Sequence, residues 1–192
     1  MSHADPVVAE LVREVASLRA ATEALRAEAE ARRLLARYMF LCDSPLPEPG
    51  MDDHQRARAI GELFTDDAVW EGVGATQNQA FGRHVGGDAV AAHMLRFYTA
   101  ANPEQVFNTH YLTAEQLRAT PEGAEGNWVQ FQPWMYDDGT AQLRSSRLHV
   151  RFRPTDAGWR ICGYRTENLF VAALPDRWWS SAIQESVLMG PA

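Results

Sequence analysis

The apolar positions of the chain change their period along its length, and those changes divide it. From Pro6 to about residue 42 they recur at alternating spacings of three and four: Val8, Leu11, Val15, Leu18, Thr22, Leu25 and Ala29. This is a helical stripe of heptad type. Glu10, Arg13, Glu14, Arg19, Glu23 and Arg26 lie between the stripe positions and read as a solvated face. Pro6 suits a first turn, with Asp5 as its cap. From Leu34 the stripe becomes richer (Leu34, Leu35, Tyr38, Leu41), so this half of the helix needs a broad apolar contact, such as the inside of a curved sheet. Prolines at 45, 47 and 49 forbid further helix.

Asp53 is placed to cap a second helix over about 54–64, with Ala57, Ile60, Leu63 and Phe64 on one side. Thr65–Asp67 reads as a turn, 68–71 as a short strand and 72–82 as a loop. Gly86-Gly87-Asp88 starts a third helix carrying Val90, His93, Met94, Phe97 and Tyr98. From Gln105 the period becomes two. Four long strands are predicted, at about 105–119, 125–137, 140–153 and 158–170, joined by turns at Gly123, Gly139 and Gly158. Trp128, Gln130, Gln132 and Trp134 share one strand face, and Val129, Phe131 and Met135 share the other. Pro133 in mid-strand implies an edge or a bulge. After Pro175 a short tail with Trp178, Trp179 and Ile183 reads as a closing helix.

The resulting fold class is α+β: a strongly bent, mostly antiparallel sheet wrapped around helices. The expected division is a helical arm, 1–31, and one domain, 32–192, with the tail included. The arm has two readings, a device for joining subunits or a segment folded against its own domain.

Composition narrows the function. A net charge of -7 argues against nucleic acid. No apolar run approaches the ~20 residues that span a bilayer, and the start of the chain does not read as a signal peptide. The 2 cysteines, Cys42 and Cys162, make no disulfide framework. A soluble cytoplasmic protein with free, buried thiols is expected. Phosphate loops, dinucleotide fingerprints, CxxC pairs and HExxH are absent, and the 6 histidines show no metal-ligand spacing. The expectation is no metal and no cofactor, leaving cofactor-free acid–base chemistry or none. The 6 Trp and 8 Phe can fill a core or line a pocket for an aromatic ligand.

Two residues stand out. Asp43 ends the apolar half of the first helix, where a carboxylate is costly to bury without a partner. His110 sits in Phe107-Asn108-Thr109-His110-Tyr111-Leu112 among apolar neighbours; buried there, it needs a partner for each ring nitrogen. One reading pairs them. The other has Asp43 capping local backbone, His110 as a core residue and Arg165 in an ion pair with Glu167 or another acid. Of the other histidines, His84 is a candidate for a pocket mouth, and His93 reads as a satisfied, partly buried helix residue.

Several segments, in order, resemble the SnoaL-like branch of the nuclear-transport-factor-2-like superfamily across about residues 32–170. They are Arg37-Tyr38 through Asp43; Leu63-Phe64-Thr65-Asp66-Asp67-Ala68-Val69-Trp70; Phe81-Gly82-Arg83; Asn108-Thr109-His110-Tyr111; and Gly158-Trp159-Arg160-Ile161. The resemblance implies a conical barrel, open at one end, with an apolar cavity. Members include scytalone dehydratase, bile-acid dehydratase, lindane dehydrochlorinase, ketosteroid isomerases, polyketide cyclases and formaldehyde lyases. In the dehydratase and dehydrochlorinase members an Asp near the first helix end orients a strand His that acts as base, and a Tyr or an Arg assists.

Carried onto this chain, the resemblance implies Asp43 and His110 as that pair, Tyr38 as the tyrosine and Arg165 as the late arginine. Tyr111 stands where many relatives carry a second histidine. The expected pocket wall includes Trp70, Phe81, Trp134 and Phe170. The implied activity is a lyase performing dehydration, or retro-aldol loss of formaldehyde, on a small aromatic or polycyclic hydroxylated substrate. The alternatives are an isomerase or cyclase, or a non-catalytic subunit like the small subunit of ring-hydroxylating dioxygenases. A homo-oligomer, trimer or dimer, is implied as well.

Overall fold

The computed structural model describes residues 6–46, 48–74, 81–100, 104–175 and 178. The expected closing helix, with Trp179 and Ile183, lies outside the described residues. Helix α1 runs unbroken over Pro6–Cys42, α2 over Asp53–Gly61 and α3 over Gly87–Thr99. The strands are β1 (Phe64–Val73), β2 (Arg83–Val85), β3 (Gln105–Asn108), β4 (Tyr111–Thr120), β5 (Gly123–Tyr136), β6 (Ala141–Thr155) and β7 (Gly158–Leu174). They form one curled sheet in the order β2-β1-β7-β6-β5-β3, with β4 also paired to β5. All neighbours are antiparallel except β1 and β7.

The sheet curls around the second half of α1. Leu34, Leu35, Tyr38 and Leu41 are buried against it together with Trp70, Leu148, Val150, Phe152 and Ile161. The stripe that turns apolar at Leu34 is therefore the core half of the helix. Upstream of Ala27 no residue of α1 is buried.

Local rules explain most departures from the expected elements. Helix α2 is capped by Asp52, one residue earlier than expected, with Gln55 closing a reciprocal capping box. Thr65–Asp67 is no turn: it lies within β1, at a register shift against β7 between Phe64 and Val69. The Thr65 hydroxyl and Arg153 both donate to Asp67 there. β2 is only three residues long and carries no period that a sequence pattern would show.

The first long strand is divided. β3 pairs Asn108 with Trp134, and β4 resumes by pairing Tyr111 with Phe131. Thr109 and His110 occupy the gap, opposite Gln132 and Pro133. Pro133 has no N–H to donate, and it lies where no strand is present to receive one. A proline that signals an interruption thus marks the place where His110 leaves the sheet.

A candidate active site in the cup

Helix α1 ends at Cys42, directly before Asp43. None of its last-turn residues is basic, so its final carbonyls need donors from elsewhere. Arg56 of α2 supplies them: its guanidinium, 4% exposed, donates to Leu41 O at 2.6 Å and to Asp43 O at 2.7 Å. It also lies over the Tyr98 ring at 3.5 Å. On the other side, Ser44 and Asn108 exchange two backbone hydrogen bonds, of 2.8 and 2.9 Å. The segment after Asp43 is thereby tied to the segment before His110.

Across that tie Asp43 and His110 meet. Asp43 Oδ1 accepts from the His110 backbone N–H at 3.0 Å and lies 2.7 Å from its ring Nδ1. A carboxylate facing Nδ1 assigns the ring proton to Nδ1 and leaves the lone pair on Nε2. Nε2 is 2.6 Å from Gln132 Nε2. The Gln132 amide is oriented by its neighbours: Gln130 Nε2 donates to its oxygen at 2.9 Å, and its own nitrogen also reaches Asn108 Oδ1 at 3.3 Å. The Nε2 lone pair is thus covered by an amide donor.

Burial on β5 falls on the Trp128–Gln130–Gln132–Trp134 face, so that face is the inward one. Tyr38, Trp70, Phe81 and Trp134 all line the cavity beside His110. Burial raises the Tyr38 hydroxyl well above its usual range, so it keeps its proton. It accepts from Trp70 Nε1 at 2.9 Å, and its own proton points toward the Cys42 thiol beside it. Trp70 stacks on Tyr164, with centroids 5.7 Å apart. Phe81 enters over Gly72, where a Cβ would stand 2.5 Å from the Phe81 Cβ. The free space inside measures about 70 Å³, small against the several hundred typical of ligand pockets. A ligand ring must stand partly in the mouth or move side chains.

Two expected site residues are elsewhere. Tyr164 and Thr166 of β7 face the cavity, so Arg165 between them points outward. It is half exposed and paired with Glu71 Oε1 at 3.1 Å. Phe170 is also outside, at 40% exposure, edge-on to Phe131. A register shift pairs Ser146 with Asn168 but Ser145 with Phe170. The extra residue, Leu169, flips the alternation that keeps Asn168 inward.

The arginine in the cup is Arg144 of β6. It lines the cavity at 7% exposure, with its guanidinium 4.0 Å from the Trp134 ring centroid. Burial lowers its pKa, and no carboxylate among the described residues pairs with it. The sequence signal is that Arg144 shares a strand face with Ser146, Leu148, Val150 and Phe152, which are small or apolar. His93 is not the satisfied residue that its helix position predicts. It is 6% exposed, its Nε2 has no partner among the described residues, and burial together with His84 and Arg96 lowers its pKa to about 4. His84 lies behind it, ring against ring at 4.1 Å, rather than at the mouth. Trp134 Nε1 and Gln130 Oε1 are likewise buried and unpartnered. Such groups are uncommon in folded proteins, and all three belong to residues lining one cavity.

A sequence profile of the SnoaL-like domain family matches residues 23–165. The chain belongs to the SnoaL-like domain family. Solved structures with the same fold include a type 2 hexachlorocyclohexane dehydrochlorinase, LinA, at 15% identity and a TM-score of 0.61, covering 79% of this chain and 90% of that one. A nuclear-transport-factor-2-like protein from Novosphingobium aromaticivorans is 24% identical, with a TM-score of 0.55, over 88% of this chain and 92% of that one. A candidate scytalone dehydratase from the same species is 12% identical, with a TM-score of 0.58, over 84% and 96%. No curated protein matches in sequence. At these identities the likeness establishes the SnoaL-like cone and not its chemistry. No helix of the described residues is long and apolar enough to cross a membrane.

Proposed function

We propose that this SnoaL-like protein is a cofactor-independent lyase that eliminates a leaving group from a small hydroxylated aromatic substrate carrying an anionic group. The observation that carries this reading is the Asp43–His110 pair at 2.7 Å beside an aromatic-lined cavity. Once a substrate displaces Gln132, His110 Nε2 takes a proton from carbon. The C–H electron pair becomes the new double bond, and hydroxide leaves with the Tyr38 proton as water. Asp43 stabilises the imidazolium that forms; general base help of this kind is worth ~10²- to 10⁴-fold. Tyr38 is then reprotonated from His110 or from solvent. With a β-hydroxy aryl substrate, the same base can take the hydroxyl proton instead. The carbon–carbon bond then breaks, formaldehyde leaves and the carbanion is reprotonated.

Arg144 supports the anionic part of the proposal. A buried guanidinium without a carboxylate is costly, and a phenolate or carboxylate on the substrate would offset that cost. Trp134 Nε1 and Gln130 Oε1 add a donor and an acceptor. The free space favours one ring over a fused system. An isomerase in which Asp43 itself carries the proton is less well supported, because Oδ1 already accepts two bonds from His110.

The test is a panel of hydroxylated aromatic acids and phenols followed by ultraviolet absorbance, since new conjugation marks elimination, together with an assay for formaldehyde. Turnover by the parent chain that vanishes in Asp43→Asn and His110→Ala is expected. Turnover intact in both variants would sink the proposal.

A further inference from the structure

The first half of α1 holds the largest set of exposed apolar side chains among the described residues. Val8, Leu11, Val15, Leu18 and Leu25 are each between 45% and 65% exposed. Their spacing places Val8, Val15 and Thr22 at the first core position of a heptad and Leu11, Leu18 and Leu25 at the second. β-Branched residues at the first and leucine at the second favour a parallel two-stranded coil.

Helical geometry says what can cover this seam. At 3.6 residues per turn, the seam lies about half a turn away from the stripe Ala27, Ala31, Leu34 and Tyr38, which is buried in the chain's own body. The helix is continuous between the two. The seam therefore faces away from the cone that its own helix enters, and the body cannot cover it while α1 stays straight.

The flanking charges choose a partner and a direction. In the heptad frame Glu14 precedes the seam and Arg19 follows it. In a parallel, in-register pair, Glu14 of one helix faces Arg19 of the other, twice by symmetry. In an antiparallel pair overlapping over residues 8–25, Glu14 would instead face Ala21 and Arg19 would face Val12, and the charge pairing would be lost. The two cones would then sit on opposite outer flanks of the coil, clear of one another. We infer that residues 8–25 form a parallel, in-register two-stranded coil with the same segment of a second copy of this chain. The seam is barely two and a half heptads long, too short for a free peptide to stay helical and paired. Here the body already holds one end of the helix.

Disulfide cross-linking of the full chain tests this. In a parallel coil Leu11 meets Leu11 and Leu25 meets Leu25. Leu11→Cys and Leu25→Cys should each give covalent dimers under mild oxidation, and Glu23→Cys, outside the seam, should not. The parent chain is the control, since Cys42 is buried and Cys162 half-buried. Failure of both seam variants to link, or equal linking by Glu23→Cys, overturns the inference. Sedimentation of full-length charge variants tests the direction independently. Glu14→Arg should weaken self-association about tenfold, roughly 1.4 kcal/mol, and adding Arg19→Glu in the same chain should restore it. An unchanged or tighter association in Glu14→Arg excludes the parallel register.

Discussion

Asp43 Oδ1 holds His110 twice, through the backbone N–H at 3.0 Å and through ring Nδ1 at 2.7 Å. One oxygen thus fixes both where the residue sits and which ring nitrogen carries the proton. Asp43→Asn should lower turnover ~10²- to 10⁴-fold while leaving the fold intact by circular dichroism. The Asp43→Asn/His110→Ala double variant should be little worse than the worse single one, because the pair acts as a unit. Fully additive losses would separate the two roles.

Gln132 covers the lone pair of His110. Replacing it with leucine should lower the KM of a substrate that must displace it, with a smaller change in kcat. Gln132→Glu places a carboxylate at 2.6 Å and favours protonated imidazole. Since elimination needs the neutral ring, the acid limb of the pH–rate profile should move to higher pH. A profile unchanged in Gln132→Glu would mean that His110 is not the base.

The two arginines make a paired test. Arg165→Ala removes a half-exposed pair with Glu71 and should change stability by less than about 1 kcal/mol, with activity near that of the parent. Arg144→Ala removes the buried cation facing the cavity and should cost ~10²- to 10³-fold in turnover of an anionic substrate. Steady-state kinetics of both, on one substrate, decides which arginine serves the site.

His93 predicts a dependence of stability on pH. An imidazole in the unfolded chain takes its proton near 6.5, whereas burial, helped by His84 and Arg96, holds folded His93 to about 4. Between those values the unfolded state binds the extra proton. Stability should therefore fall as pH drops from about 6.5 to about 4, by something of order 1–3 kcal/mol, and level off below. Thermal melts across that range measure it, and His93→Phe should flatten the slope.

Arg56 holds the end of α1. Arg56→Met leaves the Leu41 and Asp43 carbonyls without that donor, and a destabilisation of roughly 2–4 kcal/mol is expected in chemical denaturation. A loss below 1 kcal/mol would show that water replaces the guanidinium.

Long-period signals made much of this legible in advance. The 37-residue first helix and the hairpins follow from periodicity and turn residues, and the meeting of Asp43 with His110 is what the SnoaL-like resemblance implies. What escaped depends on single-residue shifts. Leu169, inserted between two pairs of β7 and β6, sends Phe170 outward. Arg165 fails as a cavity residue by one step of a strand, where one step reverses the side chain. Arg144 and His93 depend on the closed cup, which buries a charged strand residue and leaves a helix histidine without a partner for Nε2.

The stacking of Trp70 on Tyr164, with its indole N–H held by Tyr38, has a practical corollary. This indole is a fluorophore already installed in the wall of the cup, and Trp134 is a second one beside Arg144. Any molecule that enters must disturb their emission whether or not it reacts. The chain can thus report its own ligand by intrinsic fluorescence, so a substrate search can begin from binding before any product is known.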